Sequence, residues 1–169
     1  IQSWVADGRK MPKQEQKVTD VAGMLERLSA LCDTGFALAI HIRYTRPSLL
    51  YRTYTKDWID FYSEKGLMLS DPVVRWGLAN TGSLAWDALE GDDPAGVLAL
   101  ARQHGLLNGV VYSVGPASSR TIAGFTRSGT GLTQAELAEA CAIVDRVHAL
   151  TNGFDGFDPA EQEALRALS

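Results

Sequence analysis

The feature that most constrains this fold is a repeated arrangement of two strand-like segments joined by a short turn. Residues 36–44 and 49–54 are rich in apolar and aromatic side chains, and a turn that contains Pro47 separates them. Residues 109–114 and 120–127 repeat this arrangement around a Gly-Pro-Ala-Ser-Ser loop. Short turns join antiparallel neighbours, because parallel neighbours need a longer crossover connection. The chain is therefore predicted to contain an antiparallel sheet.

Helical signals precede, separate and follow these two pairs of strands. Apolar residues recur at helical spacing from Val18 to Cys32, and again after Thr133, where Glu136 completes a capping box. Helices on both flanks of the sheet predict an α+β fold, an α/β/α sandwich around a central antiparallel sheet of about five strands. Between the strand pairs, helix-capping residues predict three shorter helices, which begin at Thr55, Asp71-Pro72 and Asp93-Pro94.

The composition excludes several other classes of protein. Of the 169 residues, 46% are hydrophobic and 21% are charged, so the chain can fill a core and is not intrinsically disordered. The net charge of −4 makes these residues a poor match for a nucleic-acid backbone. No apolar run reaches the ~20 residues that a membrane span needs, and no signal-peptide pattern is present. We therefore expect a cytoplasmic protein without membrane contact.

Sequence motifs of enzymes and metal sites are absent. The chain has no GxSxG or HExxH motif, no phosphate-binding glycine loop and no dinucleotide fingerprint. The three histidines lie in separate predicted elements, a pattern that favours surface or core residues over metal ligands. Cys32 and Cys141 are far apart in the sequence, so buried free thiols are favoured over a disulfide or a metal pair. We expect neither catalysis nor a metal or cofactor.

A group of polar-tipped aromatic residues around one carboxylate is the strongest candidate for a binding site. An indole N–H, phenol hydroxyls and a carboxylate can together hold a small neutral ligand that carries an amide and carbonyl groups. Aromatic pairs at helical spacing also occur in cores, and an Asp before Pro often serves only as a helix cap, so both interpretations stay open on these residues alone. The group consists of Tyr54, Trp58, Tyr62, Asp71 and Trp86.

The same residues belong to a longer pattern that resembles a known family. The autoinducer-binding domain of LuxR-type quorum-sensing transcription regulators is similar to this chain at residues 54–66, 71–74, 84–86 and 101–110. The resemblance covers roughly residues 18–150, and the combined spacing of the segments is specific where a single segment is weak. It implies that an N-acyl-homoserine lactone lies between the sheet and the helices on one of its faces.

The resemblance also implies a role for each residue of the candidate site. Trp58 would donate its indole N–H to the lactone carbonyl, and Asp71 would accept the amide N–H of the ligand. Tyr54 would form a hydrogen bond with the acyl carbonyl. Thr126, on the last strand, would contact a substituent at the 3-position of the acyl chain. Two aromatic residues would wall the head-group pocket, Tyr62 and Trp86.

The resemblance and the composition together divide the chain into four segments. Residues 1–17 are predicted to be an N-terminal arm, and residues 18–150 the autoinducer-binding domain. The Gly-rich residues 151–157 read as a linker, and residues 158–169 as the start of a truncated helix-turn-helix DNA-binding domain. We therefore expect an excised sensor domain rather than a natural protein that lacks a DNA reader.

The function implied by the resemblance is ligand sensing. Lactone binding would control homodimer formation, and DNA would be bound only through the missing C-terminal helix-turn-helix. Two alternatives stay open. The chain could be an orphan sensor of another small molecule, or a partner without a helix-turn-helix that sequesters a full-length regulator.

Overall fold

The computed structural model describes residues 13–169, and an antiparallel sheet lies at the centre of this part of the chain. The five strands are β1 (Gly35–Ile42), β2 (Leu49–Arg52), β3 (Gly82–Ala85), β4 (Val110–Val114) and β5 (Arg120–Thr126). Their order across the sheet is β2-β1-β5-β4-β3, and all neighbours are antiparallel. Both strand pairs that the sequence predicts are therefore confirmed as neighbours, and β1 and β5 join them.

Helices cover both faces of the sheet, which confirms the predicted α/β/α sandwich. They are α1 (Lys13–Leu31), α2 (Lys56–Glu64), α3 (Pro72–Ala79), α4 (Val97–Gln103), α5 (Gln134–Leu150) and α6 (Pro159–Arg166). The packed face, which carries Phe36, Leu38 and Phe125, lies against α1, α5 and α6. The opposite face, the cavity face, carries Ala37 and Gly124 and lies beneath α2, α3 and α4.

Large apolar side chains fill the packed face. Phe36 and Phe125 from the sheet are buried against Leu28 of α1 and Val144 of α5. Burial of side chains of this size contributes about 1.5–3 kcal/mol each, so this face supplies much of the free energy of folding.

Hydrogen bonds with side-chain caps begin helices α2 and α3. The hydroxyl of Thr55 accepts a hydrogen bond from the backbone N–H of Trp58 at 3.4 Å and starts α2. The carboxylate of Asp71 accepts one from the N–H of Val73 at 2.8 Å and starts α3. These predicted starts are confirmed, and the capping box predicted ahead of α5 is also present.

Two helices begin at other residues than the sequence predicts. Helix α1 already begins at Lys13, so residues 13–17 of the predicted arm are helical, while residues 1–12 lie outside the described part of the chain. Helix α4 begins at Val97 rather than at Pro94. The carboxylate of Asp93 still caps it, because it accepts the N–H groups of Val97 and Leu98 at 2.9 Å each.

The C-terminal residues pack onto the same core. Where the sequence predicts a linker at 151–157, the structure has a 3₁₀ turn at Phe154–Gly156 with the Phe154 ring buried. In α6 the side chain of Leu165 is fully buried, and its carbonyl accepts the hydroxyl of Tyr51 at 2.8 Å. These residues therefore extend the core of the packed face.

The fifth strand, β3, is the element whose position the sequence does not predict. Its four residues pair with β4 at the edge of the sheet. No helix within residues 13–169 combines the length and the apolar character needed to cross a bilayer.

Candidate functional site

A cavity of about 500 Å³ lies between the cavity face of the sheet and helices α2, α3 and α4. Adjacent strands are about 4.8 Å apart, so its floor extends about 10 Å from β5 across β1 to the edge strand β2. This volume falls in the range of small-molecule sites. Strand register arranges the floor in two rows, Gly124–Ala37–Arg52 and Ile122–Ala39–Leu50.

Small side chains on the floor leave the space for this cavity. Along β1, Phe36 and Leu38 point to the packed face, while Ala37 and Ala39 point to the cavity face. Gly124 supplies the equivalent small residue in β5. Sequence reasoning that looked for polar groups missed these residues, although the alternation of large and small side chains in β1 is a signal that identifies them.

Trp58 and Tyr62 line the cavity from α2, on the same side of the helix, as their four-residue spacing predicts. Trp58 is 4% exposed. Its ring centroid lies 5.7 Å from that of Tyr62 and 5.0 Å from that of His104. Aromatic packing on both sides therefore holds the indole in one orientation.

Asp71 places a buried carboxylate in the same cavity and is 8% exposed. Its Oδ1 accepts the N–H of Val73 at 2.8 Å, and its Oδ2 accepts the hydroxyl of Tyr62 at 2.8 Å. Burial raises the pKa of this carboxyl, against the opposing effect of the two hydrogen bonds. Each carboxylate oxygen keeps a further lone pair, so the group can still accept an N–H from a ligand.

Tyr54 and Trp86 lie close above the backbone of the sheet. A Cβ at Gly124 would be 3.1 Å from the Tyr54 hydroxyl and 3.3 Å from Cζ2 of Trp86. A Cβ at Gly109 would overlap the Trp86 indole at 2.0 Å. The two glycines therefore make room for both rings over β5 and β4, and the Tyr54 hydroxyl donates a long hydrogen bond of 3.4 Å to the carbonyl of Gly124.

The electrostatics keep the phenols of the site as hydrogen-bond donors. Burial raises the pKa of Tyr54 and of Tyr62, and the charge of Asp71 raises both further. Both hydroxyls therefore stay protonated at neutral pH. The indole N–H of Trp86 is buried as well, and it has no hydrogen-bond partner among residues 13–169.

Thr126 does not join the other predicted site residues. It lies at the end of β5, fully buried, where its hydroxyl donates to the carbonyl of Gly35 at 2.7 Å and accepts from the hydroxyl of Thr34 at 2.8 Å. In the register of β5 with β1, Thr126 pairs with Gly35, two residues beyond the pair of Gly124 with Ala37, and it is not part of the cavity lining. The five other predicted residues all line the cavity.

The sequence also does not single out the apolar part of the lining. Beyond the aromatic group, the cavity is walled by aliphatic side chains, and one end reaches the surface. We call the three exposed side chains at that end the rim, which consists of Leu50, Met68 and Leu69.

Two of the three histidines meet outside the cavity. The rings of His41 and His148 are 4.3 Å apart between centroids. A nitrogen of His41 lies 2.7 Å from the hydroxyl of Ser119, and a nitrogen of His148 lies 2.6 Å from that of Thr121. Burial lowers the pKa of His148, and the neighbouring His41 lowers it further. This contact joins β1 to α5 over 107 residues of sequence, so no local pattern predicts it.

The arrangement suits the binding of a neutral amphipathic molecule. Indole and phenol donors line the cavity together with a carboxylate acceptor, and most of the remaining wall is apolar. A ligand with an amide, carbonyl groups and an aliphatic chain matches these groups in kind.

Comparison with known proteins identifies the family of this chain. The model of the autoinducer binding domain family matches residues 21–152. The transcriptional activator protein SolR of Ralstonia nicotianae is 26% identical over 125 residues, which are 70% of this chain and 53% of SolR. The chain therefore spans about half the length of this curated relative.

Solved structures share the fold. SdiA of Escherichia coli in complex with octanoyl-rac-glycerol superposes with a TM-score of 0.59 at 22% identity, over 90% of this chain and 68% of that chain. CepR2 from Burkholderia cenocepacia, an N-acylhomoserine lactone dependent LuxR family transcription factor, superposes with a TM-score of 0.57 at 16% identity, over 85% of this chain and 96% of that chain. Since the family model covers most of the sequence, this chain belongs to the autoinducer-binding domain family of LuxR-type quorum-sensing transcription regulators.

Proposed function

We propose that this domain senses an N-acyl-homoserine lactone, which it binds in the cavity between the sheet and helices α2–α4. One observation carries the proposal. A cavity of about 500 Å³ with a mostly apolar wall is lined by two indoles, two phenols and a buried carboxylate. A lactone with an acylated amide has both the polar head and the aliphatic chain that such a wall requires.

Three residues act as polar anchors in this proposal. The indole N–H of Trp58 donates to the lactone carbonyl, the Asp71 carboxylate accepts the amide N–H, and the Tyr54 hydroxyl donates to the acyl carbonyl. Support for Asp71 comes from its raised pKa, since a further N–H donor offsets part of the cost of burying its charge. Tyr62 and Trp86 wall the head group.

The binding free energy has two sources, the acyl chain of the ligand and its head group. Each buried methylene contributes about 0.8 kcal/mol, so a chain of eight carbons contributes roughly 6 kcal/mol. A neutral hydrogen bond adds about 1 kcal/mol net, and one to a charged group about 1.5–3 kcal/mol. Affinity therefore comes mainly from the acyl chain, and recognition of the lactone comes from the anchors.

Lactone binding, in this proposal, controls homodimer formation and DNA binding by a C-terminal helix-turn-helix domain. DNA contact is assigned to that separate domain because the 169 residues carry a net charge of −4. Sedimentation of the domain with and without lactone tests the first step, and we expect a ligand-dependent shift from monomer to dimer. Unchanged sedimentation at saturating lactone would remove dimer control from the proposal.

Thermal unfolding against a series of lactones tests ligand binding itself. At a ligand concentration near 100-fold its Kd, linkage stabilises the fold by about 2.7 kcal/mol. For a domain of this size that raises Tm by roughly 5–10 °C. A folded sample whose Tm does not respond to any lactone contradicts the proposal and favours an orphan sensor or a sequestering partner.

Matched variants assign the response to the site. Trp58→Phe removes the proposed donor and is expected to lower lactone affinity about tenfold. Trp76→Phe makes the same chemical change on α3, where the ring packs on the sheet outside the cavity lining, and should bind like the wild type. A lactone whose affinity does not change in Asp71→Asn would contradict the amide contact.

A further inference from the structure

The two ends of the cavity differ in their access to solvent. The indole of Trp58 and the carboxylate of Asp71 are buried. The rim residues line the same cavity but stay in contact with solvent, with Leu69 78%, Leu50 38% and Met68 37% exposed. The polar anchors of the cavity are therefore enclosed, while its apolar rim is open.

Rigid elements hold the rim in place. Leu50 lies in β2, where Leu49 and Tyr51 on either side are buried in the packed face. Met68 and Leu69 belong to a 3₁₀ turn, Leu67–Ser70, whose first residue is buried against α2 and α4.

Hydrogen bonds close this turn. The N–H of Asp71 donates to the carbonyl of Met68 at 3.4 Å, and the guanidinium of Arg75 donates to the carbonyl of Ser70 at 3.1 Å. These bonds hold the backbone of the Met68–Leu69 turn, and Leu50 faces it from β2, about two strand spacings from β5.

An opening of this kind leaves apolar area without a partner. Exposed apolar side chains around a pocket mark a place where an apolar ligand gains contact. A methyl-ended chain that starts at the polar anchors and runs over Ala39 toward β2 would cover the rim.

We propose that the acyl chain of the ligand leaves the cavity between Leu50 and the Met68–Leu69 turn, so that the protein selects long chains and sets no upper limit on their length. This inference rests on the proposed function. In a closed pocket, a methylene group that does not fit forces the surrounding side chains out of their preferred conformations, and affinity falls. Here, extra methylenes extend along the rim toward solvent, and affinity reaches a plateau.

The test measures Kd for straight-chain N-acyl-homoserine lactones of about six to fourteen carbons on the 169-residue domain. We expect affinity to increase up to about fourfold per added methylene while the chain is enclosed, and then to level off. A sharp optimum, with a loss of about tenfold or more for the next two methylenes, overturns the inference while leaving lactone sensing intact. Absence of binding at every length overturns the proposed function itself.

A rim variant and a matched control locate the effect. Leu69→Ser is expected to lower affinity for the longest chains about threefold to tenfold and to leave the shortest chains within about twofold. Leu107→Ser changes another exposed leucine outside the cavity lining and should bind all lengths like the wild type. If Leu69→Ser instead weakens dimers and leaves long-chain affinity unchanged, the rim contacts a second copy and the inference is wrong.

Discussion

The two faces of the sheet use the same strands for opposite purposes. On the packed face, β1 and β5 present Phe36, Leu38 and Phe125, and α1, α5 and α6 pack against them. On the cavity face, the intervening positions are Ala37, Ala39 and Gly124, and the helices above them leave about 500 Å³ open. A shift of one residue along either strand thus separates a close-packed core from a binding cavity.

This difference shows how a small domain can combine stability with a large internal space. The packed face carries the hydrophobic free energy of folding, so the cavity face can omit side-chain volume at three floor positions. Substitutions on the two faces should therefore separate stability from binding, and each of the following experiments tests that separation.

The largest effect is expected from Phe125→Ala on the packed face. Removing a fully buried ring should lower the free energy of unfolding by about 3–5 kcal/mol, through lost burial and a residual cavity. Denaturant titration measures it. The lactone affinity of the variant that remains folded should be unchanged, and a large loss of affinity would show that the two faces are coupled.

An Ala→Leu substitution should affect stability differently on the two faces of the sheet. Ala123→Leu overpacks the packed face, where Ala123 is fully buried, and should cost about 1–3 kcal/mol. Ala39→Leu adds the same atoms on the cavity floor, where it should leave stability unchanged or raise it by up to about 1 kcal/mol. It should also lower lactone affinity more than tenfold. Equal destabilisation by both variants would contradict the comparison.

Asp71→Asn should reduce binding by about tenfold to a hundredfold while changing the stability of the free domain by less than about 1 kcal/mol. Asparagine can still cap α3 through its Oδ1, and the variant no longer buries a charge. Because burial raises the pKa of Asp71 in the folded state, acidification removes that charge and favours the wild-type fold. The stability of the wild type relative to Asp71→Asn should therefore rise as the pH falls toward the unfolded-state pKa of about 4.

The smallest effect is expected from His148, and it has the opposite sign. Burial lowers the pKa of His148 in the folded state, so the unfolded chain takes up a proton first as the pH falls below about 6.5. This group therefore costs stability on acidification, and His148→Gln should remove that part of the pH dependence. Denaturant midpoints of both proteins at two pH values measure it. A steeper acid dependence in the variant would contradict the assignment.

Local signals explain which parts of the fold the sequence predicts. Thr55, Asp71 and Thr133 cap their helices with side chains, and each cap acts within three residues, so sequence alone places these starts. Helix α4 starts later than predicted because the Asp93 carboxylate reaches forward to Val97. Strand β3 is missed because its four residues form a strand only by pairing with β4.

The same difference between local signals and long-range contacts applies to the site residues. Trp58 and Tyr62 meet because they share a helix face, which the sequence shows directly. The hydrogen bond between Tyr62 and Asp71 depends on how α2 and α3 pack, so the sequence does not predict it. The hydrogen bond of Thr126 to the carbonyl of Gly35 depends on the register of β5 with β1, which no local pattern states, so the sequence does not predict that Thr126 lies outside the cavity lining.

Asp71 has a consequence for how signal preference can diverge among such domains. One carboxylate both begins α3 and faces the proposed amide of the ligand. A change in head-group preference at this position would have to preserve a helix start, which restricts it to a few side chains. The rim residue Leu69 has no comparable structural role, since it caps no helix and is mostly exposed. Related domains should therefore differ first in the acyl chain that they prefer, and only later in the head group.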